Sequence, residues 1–431
     1  MAIPRASFFN FMIIIYRKIA SLVLGCLLVG CSTKSPQEKL ALEARDWQEL
    51  VRGDEERMSE SLEQTVRGLA KAGRIEEAKV LARSIPNYKR GTSWADIGLI
   101  LVSQGRSAEA AQLFPAPFEL YRVSLKVEQD TIVARLVRSA IAAGNFAAAR
   151  EMAKGMSSPT GTASLESLIQ LTESPLTLNG APILMGTNAI NSTAKLSANF
   201  EGVKEGESAI SSDRMSVEML LAEMEGMVRT GKVDQARVLA SQIEAGLYKM
   251  TTTLRRPVYW MKLARLQMDL GRTSDAKRSF DEGMDRIRHL NPRLELLDLA
   301  YADATVVRDK LEGPEPAEKM VRERVEEISK RDPENPFPMP VMDEYFQMDA
   351  FSTLAQGAWE AGNQKLAREL WDRALTLAEK NPNPRSRAIG AVEVLLSHAA
   401  VDQSPEPSLR KRLDVIRAGL PGDYTKLYQS H

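Results

Sequence analysis

The chain carries three histidines, His289, His398 and His431, and two cysteines, Cys26 and Cys31. Those few groups bound its chemistry. A Ser/His/acid or Cys/His relay needs an imidazole beside its nucleophile. His431 is the terminal residue, and His289 and His398 fall near the ends of helical stretches, where an imidazole bonds free helix carbonyls. The chain lacks Gly-x-Ser-x-Gly, a Walker glycine-lysine loop, Gly-x-Gly-x-x-Gly and His-Glu-x-x-His. Two thiols cannot build a four-thiolate zinc site, so neither metal nor cofactor is expected. Met215, Met219 and Met224 lie near helical spacing and read as core filler rather than copper ligands. Acidic pairs such as Glu326-Glu327 read as solvated helix faces.

Charge narrows the partners. The 431 residues hold 57 Lys+Arg against 57 Asp+Glu, and that balance lacks the basic stripe that displaces counterions from nucleic acid. Residues 1–30 contain Arg5, Arg17 and Lys18, no acidic residue, and an apolar run from Ile19 to Gly30 that is too short to span a bilayer. Leu28-Val29-Gly30-Cys31 resembles the bacterial lipobox. The resemblance implies cleavage before Cys31 and acylation of its thiol, and each buried CH₂ of such a chain contributes about 0.8 kcal/mol to membrane attachment. Leu24-Gly25-Cys26 is a weaker competitor. Ser32 after the cysteine implies the outer membrane, with the protein facing the periplasm. Removing residues 1–30 turns 57 against 57 into 54 against 57, a mildly acidic mature chain. Met12, just before Arg17 and Lys18, is an alternative start to Met1.

Beyond Ser59 the apolar residues recur at three- and four-residue spacing, and Ala, Leu, Glu, Arg, Met and Gln dominate, so the expected fold is all-α. One signature returns as Gly73/Ala78, Gly105/Ala110, Gly144/Ala149, Gly231/Ala236, Gly271/Ala276 and Gly362/Ala367. A glycine that ends one helix in the left-handed conformation, followed by a small residue that admits the next helix, describes a helix hairpin. Gly271 and Gly362 lie 91 residues apart, as do Pro314-Glu315-Pro316 and Pro405-Glu406-Pro407, which implies a duplicated four-helix block.

Three of these units resemble tetratricopeptide repeats. Trp94, Ile97, Gly98, Gly105, Ala110 and Phe114 fit the first. Trp260, Leu263, Ala264, Gly271, Ala276, Phe280 and Pro292 fit the second, and Phe351, Leu354, Ala355, Gly362, Ala367, Trp371, Ala374 and Pro382 the third. The units around Gly73, Gly144 and Gly231 lack the first-helix aromatic. The resemblance implies an α-solenoid of a bacterial lipoprotein and a concave face that takes protein or peptide partners.

The expected organisation is a signal peptide (1–30), a tether and first helix (31–58), and an N-terminal array (59–155). A Ser/Thr/Gly/Asn linker, read as mobile, follows (156–212), then a second array (213–330), a Pro-rich connector (331–345), a C-terminal block (346–421) and a tail (422–431). This is a two-lobe reading. Within the linker, Leu176 to Leu184 suits a local turn or hairpin. On the repeat pattern, Met261, Arg265, Met268 and Asp269, with Gln356, Trp359 and Glu360, fall on first-helix positions free of stacking duty and are the candidate groove. Trp359 is the sharpest of them, an aromatic outside the core pattern. The expected function is a non-catalytic, membrane-anchored scaffold. An accessory lipoprotein for secretion, pilus or outer-membrane assembly is a second reading, and an all-helical enzyme acting on envelope polymers a third.

Overall fold

The computed structural model describes residues 35–50, 55–85, 87, 89–113, 126–157, 159–173, 177–178, 181–182, 208–250, 254–290, 296–330 and 340–420. Its helices are α1 (Pro36–Leu50), α2 (Glu55–Lys71), α3 (Ile75–Ser84), α4 (Lys89–Ser103), α5 (Ser107–Leu113), α6 (Lys126–Ala142), α7 (Phe146–Ala153) and α8 (Pro159–Glu173). After the short strands β1 (Thr177–Leu178) and β2 (Ala181–Pro182) come α9 (Ser208–Arg229), α10 (Val233–Lys249), α11 (Arg256–Asp269), α12 (Thr273–Ile287) and α13 (Leu296–Glu312). The chain continues with α14 (Pro314–Ser329), α15 (Pro340–Glu360), α16 (Gln364–Lys380), α17 (Pro384–Ala400) and α18 (Pro407–Ala418). Strands β1 and β2 pair antiparallel, Thr177 opposite Pro182, in the segment expected to turn back on itself.

The six repeated glycines do what their spacing predicts. All have φ between +72° and +85°, and the alanines five residues on, Ala78, Ala110, Ala149, Ala236, Ala276 and Ala367, are fully buried. At the first turn Gly73 N–H bonds the Ala70 carbonyl at 3.0 Å and Arg74 N–H the Leu69 carbonyl at 2.9 Å, which satisfies carbonyls that the helix end would leave free. The same pair of bonds recurs at Gly105, Gly144, Gly231, Gly271 and Gly362. Trp94, Trp260 and Trp371 fill the core as expected, and so do Met219 and Met224.

The hairpins pack in one continuous series of helix contacts. Helices α2, α4, α9, α11, α13, α15 and α17 pack each on the next, α6 lies against both α4 and α9, and α17 returns to α1 and α2. Apolar burial closes this circuit: Leu40, Ala44 and Trp47 of α1 belong to the same core as Leu354, Ala391 and Leu395 near the other end of the chain. A tryptophan side chain that buries completely removes about 150–250 Å² from water, and Trp47 is fully buried. The linear signal could not show this contact, since it joins residues at opposite ends of the sequence.

Several expected boundaries move. Residues 159–173, placed in a linker by their Ser and Thr content, form α8, and Leu165, Leu168 and Ile169 at i, i+3, i+4 spacing bury its inner face against α6 and α7. Helix α9 begins at Ser208 rather than 213, and α15 begins at Pro340, inside the expected connector. Pro340 takes the first position of its helix, where a missing N–H costs nothing. The expected 31–58 tether is largely the closing helix α1 and the start of α2. The signal peptide, with Leu28, Val29, Gly30 and Cys31, lies outside the described residues, as do 183–207, the prolines at 333, 336 and 338, and the 422–431 tail. Among the described residues no helix is long and apolar enough to cross a membrane.

Candidate functional site: the charged inner face

Several inner helices carry charged side chains beside their buried stripe. On α2 the row is Glu63, Arg67 and Lys71 at i, i+4 spacing. Arg67 Nε donates to Asp96 Oδ2 of α4 at 2.6 Å, and its other nitrogen to Glu63 at 2.8 Å. Arg135 of α6 reaches the second oxygen of Asp96 at 2.5 Å. Burial works to raise the Asp96 pKa, but the two guanidiniums outweigh it and hold the carboxyl below its ordinary value. Further round, Lys262 of α11 pairs with Glu225 of α9 at 3.0 Å, and Arg265 of α11 joins Asp303 of α13 at 2.9 Å to Glu360 of α15 at 2.6 Å. Burial opposes ionisation of Glu225, yet Lys262 and Arg229 draw its pKa down to about 2.

These groups are enclosed and still wet. Arg67 keeps 40% of its side-chain surface accessible and Lys262 38%, although both stand deep within the circuit. Lys71 is exposed, with no carboxylate of the described residues within ion-pairing distance. Its surroundings nevertheless lower its pKa, first through burial and then through the charge of Lys262, while Glu225 and Glu360 oppose the shift. Lys262, Glu225 and Glu360 stand on α11, α9 and α15, so the Lys71 ammonium senses charges from other sides of the circuit.

The candidate groove residues separate into three groups. Arg265, Gln356 and Glu360 meet on the inner face, where Gln356 Nε2 donates to Glu360 at 3.4 Å. Asp269, one turn along α11 from Arg265, pairs with Lys310 at 2.9 Å. Met261 is fully buried instead: α11 and α12 approach at Gly283, where an added Cβ would lie 2.6 Å from the Met261 methyl, so Met261 is the packing partner of a glycine rather than a groove residue. Met268 packs partly buried on the core beside Phe280 and Leu297. Trp359 also turns from the groove and meets the Trp371 ring at a centroid distance of 5.6 Å, with Arg368 over its face. Sequence reasoning missed Arg67, Lys71, Asp96, Arg135 and Lys262, although the Glu63/Arg67/Lys71 ladder opposite the Leu62/Val66/Leu69 stripe was a readable signal.

Among the described residues no group of three or more His, Cys, Asp or Glu could hold a metal ion. His398 bonds a helix carbonyl, through Nδ1 to Val394 O at 2.9 Å, but does so from the core, stacked on Trp371 at 3.8 Å. No protein-family model and no curated protein matches the chain. Among solved structures it is similar to a circular tandem repeat protein with novel repeat topology and enhanced subunit contact surfaces. The two chains are 14% identical with a TM-score of 0.22, over 91% of this chain and 89% of that chain. A score that low carries no argument about fold or function.

Proposed function

We propose that this chain is an exported lipoprotein, held on the periplasmic face of the outer membrane by acyl groups on Cys31, and that its helix hairpins bind protein or peptide partners without chemistry of their own. A helical-repeat scaffold suits that role, because each hairpin adds one more inward-facing row of side chains to a continuous surface. The observation that carries the reading is the series of ion pairs between neighbouring inner helices, Arg67–Asp96–Arg135, Lys262–Glu225 and Asp303–Arg265–Glu360, in which Arg67 and Lys262 keep more than a third of their side-chain surface accessible. A chain that needed these helices only for packing gains little from ion pairs there, since exposed pairs contribute at most about 1 kcal/mol each. The likeness of the Trp94, Trp260 and Phe351 units to tetratricopeptide repeats supports the same reading.

Partners are captured by cross-linking in cells and extraction that preserves lipids, with Lys71→Glu and Arg265→Glu beside the parent chain. Stoichiometric partners that both variants lose are expected. Partners retained by both variants would remove the inner face as the site, and turnover of envelope polymers by the pure protein would favour the enzyme reading. The anchor is tested by palmitate labelling, which Cys31→Ala is expected to abolish; label persisting in that variant would remove Cys31 as the attachment point.

A further inference from the structure

A second site stands on the outer side of the last two hairpins. A cavity of about 130 Å³ opens between the end of α17, the first turn of α18 and the aromatic pair Trp359 and Trp371. His398 lines it while only 2% exposed. Its Nδ1 is committed to the Val394 carbonyl, which fixes the proton there, and Nε2, without a partner among the described residues, is left as the lone-pair acceptor of a ring that lines the cavity. Burial lowers the imidazole pKa to about 4, so the ring is neutral across the physiological range.

The opposite wall is a helix start. Glu406, the N-cap of α18, makes no side-chain cap bond and gives its carboxylate to Arg368 at 2.8 Å. Arg410 N–H takes the Glu406 carbonyl, and the N–H groups of Ser408 and Leu409 in the same turn have no partner among the described residues. Two N–H donors and one imidazole acceptor therefore belong to residues that line one small space beside Trp359 and Trp371, and among the described residues both sets are without partners.

We propose that this cavity binds a carboxamide, supplied by an Asn or Gln side chain of a peptide partner. The amide oxygen accepts from the Ser408 and Leu409 N–H groups, the amide nitrogen donates to His398 Nε2, and the planar group lies against the tryptophans. A carboxylate is disfavoured, because it has no proton for a neutral imidazole and the one lining cation among the described residues, Arg368, is already taken by Glu406. An ammonium has nothing to offer the free N–H groups and meets the positive end of the helix. Size agrees: an apolar cavity of about 150 Å³ holds benzene, so this one takes about as many heavy atoms as a glutamine side chain. The choice of a peptide as the source rests on the scaffold reading above, whereas the recognised group does not.

The test titrates the full-length chain with propionamide, following the Nε2 resonance of ¹⁵N-labelled His398. A saturable shift is expected, with propionate and propylamine binding about tenfold weaker or less, the loss that follows when a polar group is left unpaired. His398→Phe keeps the ring stack and is expected to lose propionamide binding, read from tryptophan fluorescence. Ser408→Pro, at a first-turn position that tolerates proline, is expected to weaken it. No saturable shift in the parent chain, or equal binding of propionate, overturns the site. An acetamido sugar is the other source of this group: tighter binding of N-acetylglucosamine than of N-acetylglutamine methylamide overturns the peptide assignment. Because these titrations need no partner, their failure beside successful capture at Lys71 and Arg265 removes this cavity alone. Propionamide binding with no partner captured removes the scaffold reading alone.

Discussion

Arg410 donates through two guanidinium nitrogens to the carboxylate of Glu43, at 2.7 and 2.8 Å, across 367 residues of chain. The pair marks the seam where α1 closes the circuit against α17 and α18. Fork-to-carboxylate geometry fixes orientation as well as attraction. Beside it, Gln37 N–H bonds Asp402 at 2.8 Å and Trp47 fills the core under the seam.

Trp47→Ala is expected to cost about 3–5 kcal/mol, since the site loses both the transfer term and a filled volume. Glu43→Ala is expected to cost about 1 kcal/mol, the scale of a partly exposed pair. Denaturant midpoints measure both, and small-angle scattering should show expansion for Trp47→Ala only. A Trp47→Ala chain of unchanged midpoint and radius would mean that the seam does not hold the circuit closed.

Gly226 and Gly362 separate two uses of glycine. A Cβ on Gly226 would lie 2.3 Å from the Val102 carbonyl oxygen, so α4 and α9 would have to part. Gly226→Ala is expected to cost about 3 kcal/mol. Around Gly362 nothing lies within 4 Å, but its φ is +85°. Gly362→Ala carries only the left-handed backbone cost of about 1–2 kcal/mol, and thermal midpoints should rank the variants in that order.

The pH dependence has a worked sign. The His398 pKa falls from 6.5 to about 4 on folding, so the unfolded chain binds the extra proton between those values. Its contribution is complete above pH 6.5 and declines by about 3 kcal/mol as pH falls to about 4. Glu223 runs the other way: burial raises its pKa from 4.5 to about 7, which favours the fold below pH 4.5 and declines toward 7. The two partly cancel in the parent chain. The stability difference between the parent and His398→Phe isolates the histidine, and it should shrink by about 3 kcal/mol between pH 7 and 4. A constant difference would place His398 in water rather than in the core.

Lys71 and Arg265 should respond oppositely to loss of charge. Lys71→Met leaves no anion unpaired and relieves the repulsion from Lys262, so stability should stay within about 0.5 kcal/mol of the parent or rise. Arg265→Met strips Asp303 and Glu360 of their shared partner, and about 1–3 kcal/mol should be lost. Urea midpoints decide it; a Lys71→Met loss equal to that of Arg265→Met would show a partner for the ammonium.

The helix hairpin was legible residue by residue. Every Gly/Ala signature became a left-handed turn and a buried contact because both requirements are local, set by one φ angle and one missing side chain. The site was legible only in part. Arg265, Gln356 and Glu360 came from repeat position and do share a face, whereas Met261 and Trp359 turned into the packing because whether a helix position faces groove or neighbour depends on the helix that approaches it. A segment judged by composition, such as 159–173, was misread since three apolar residues at the right spacing outweigh its serines and threonines.

Local chemistry written along the chain thus determined the all-helical class, the hairpin turns and the identity of most core residues. Tertiary structure decided that α1 meets α17, that charged side chains of α9, α11, α13 and α15 pair across neighbouring helices, and that His398 stands across a cavity from the first turn of α18. Those contacts join residues tens to hundreds of positions apart. They follow from the small rotation between successive hairpins summed around the whole circuit, a quantity to which every helix contributes and which no single motif encodes.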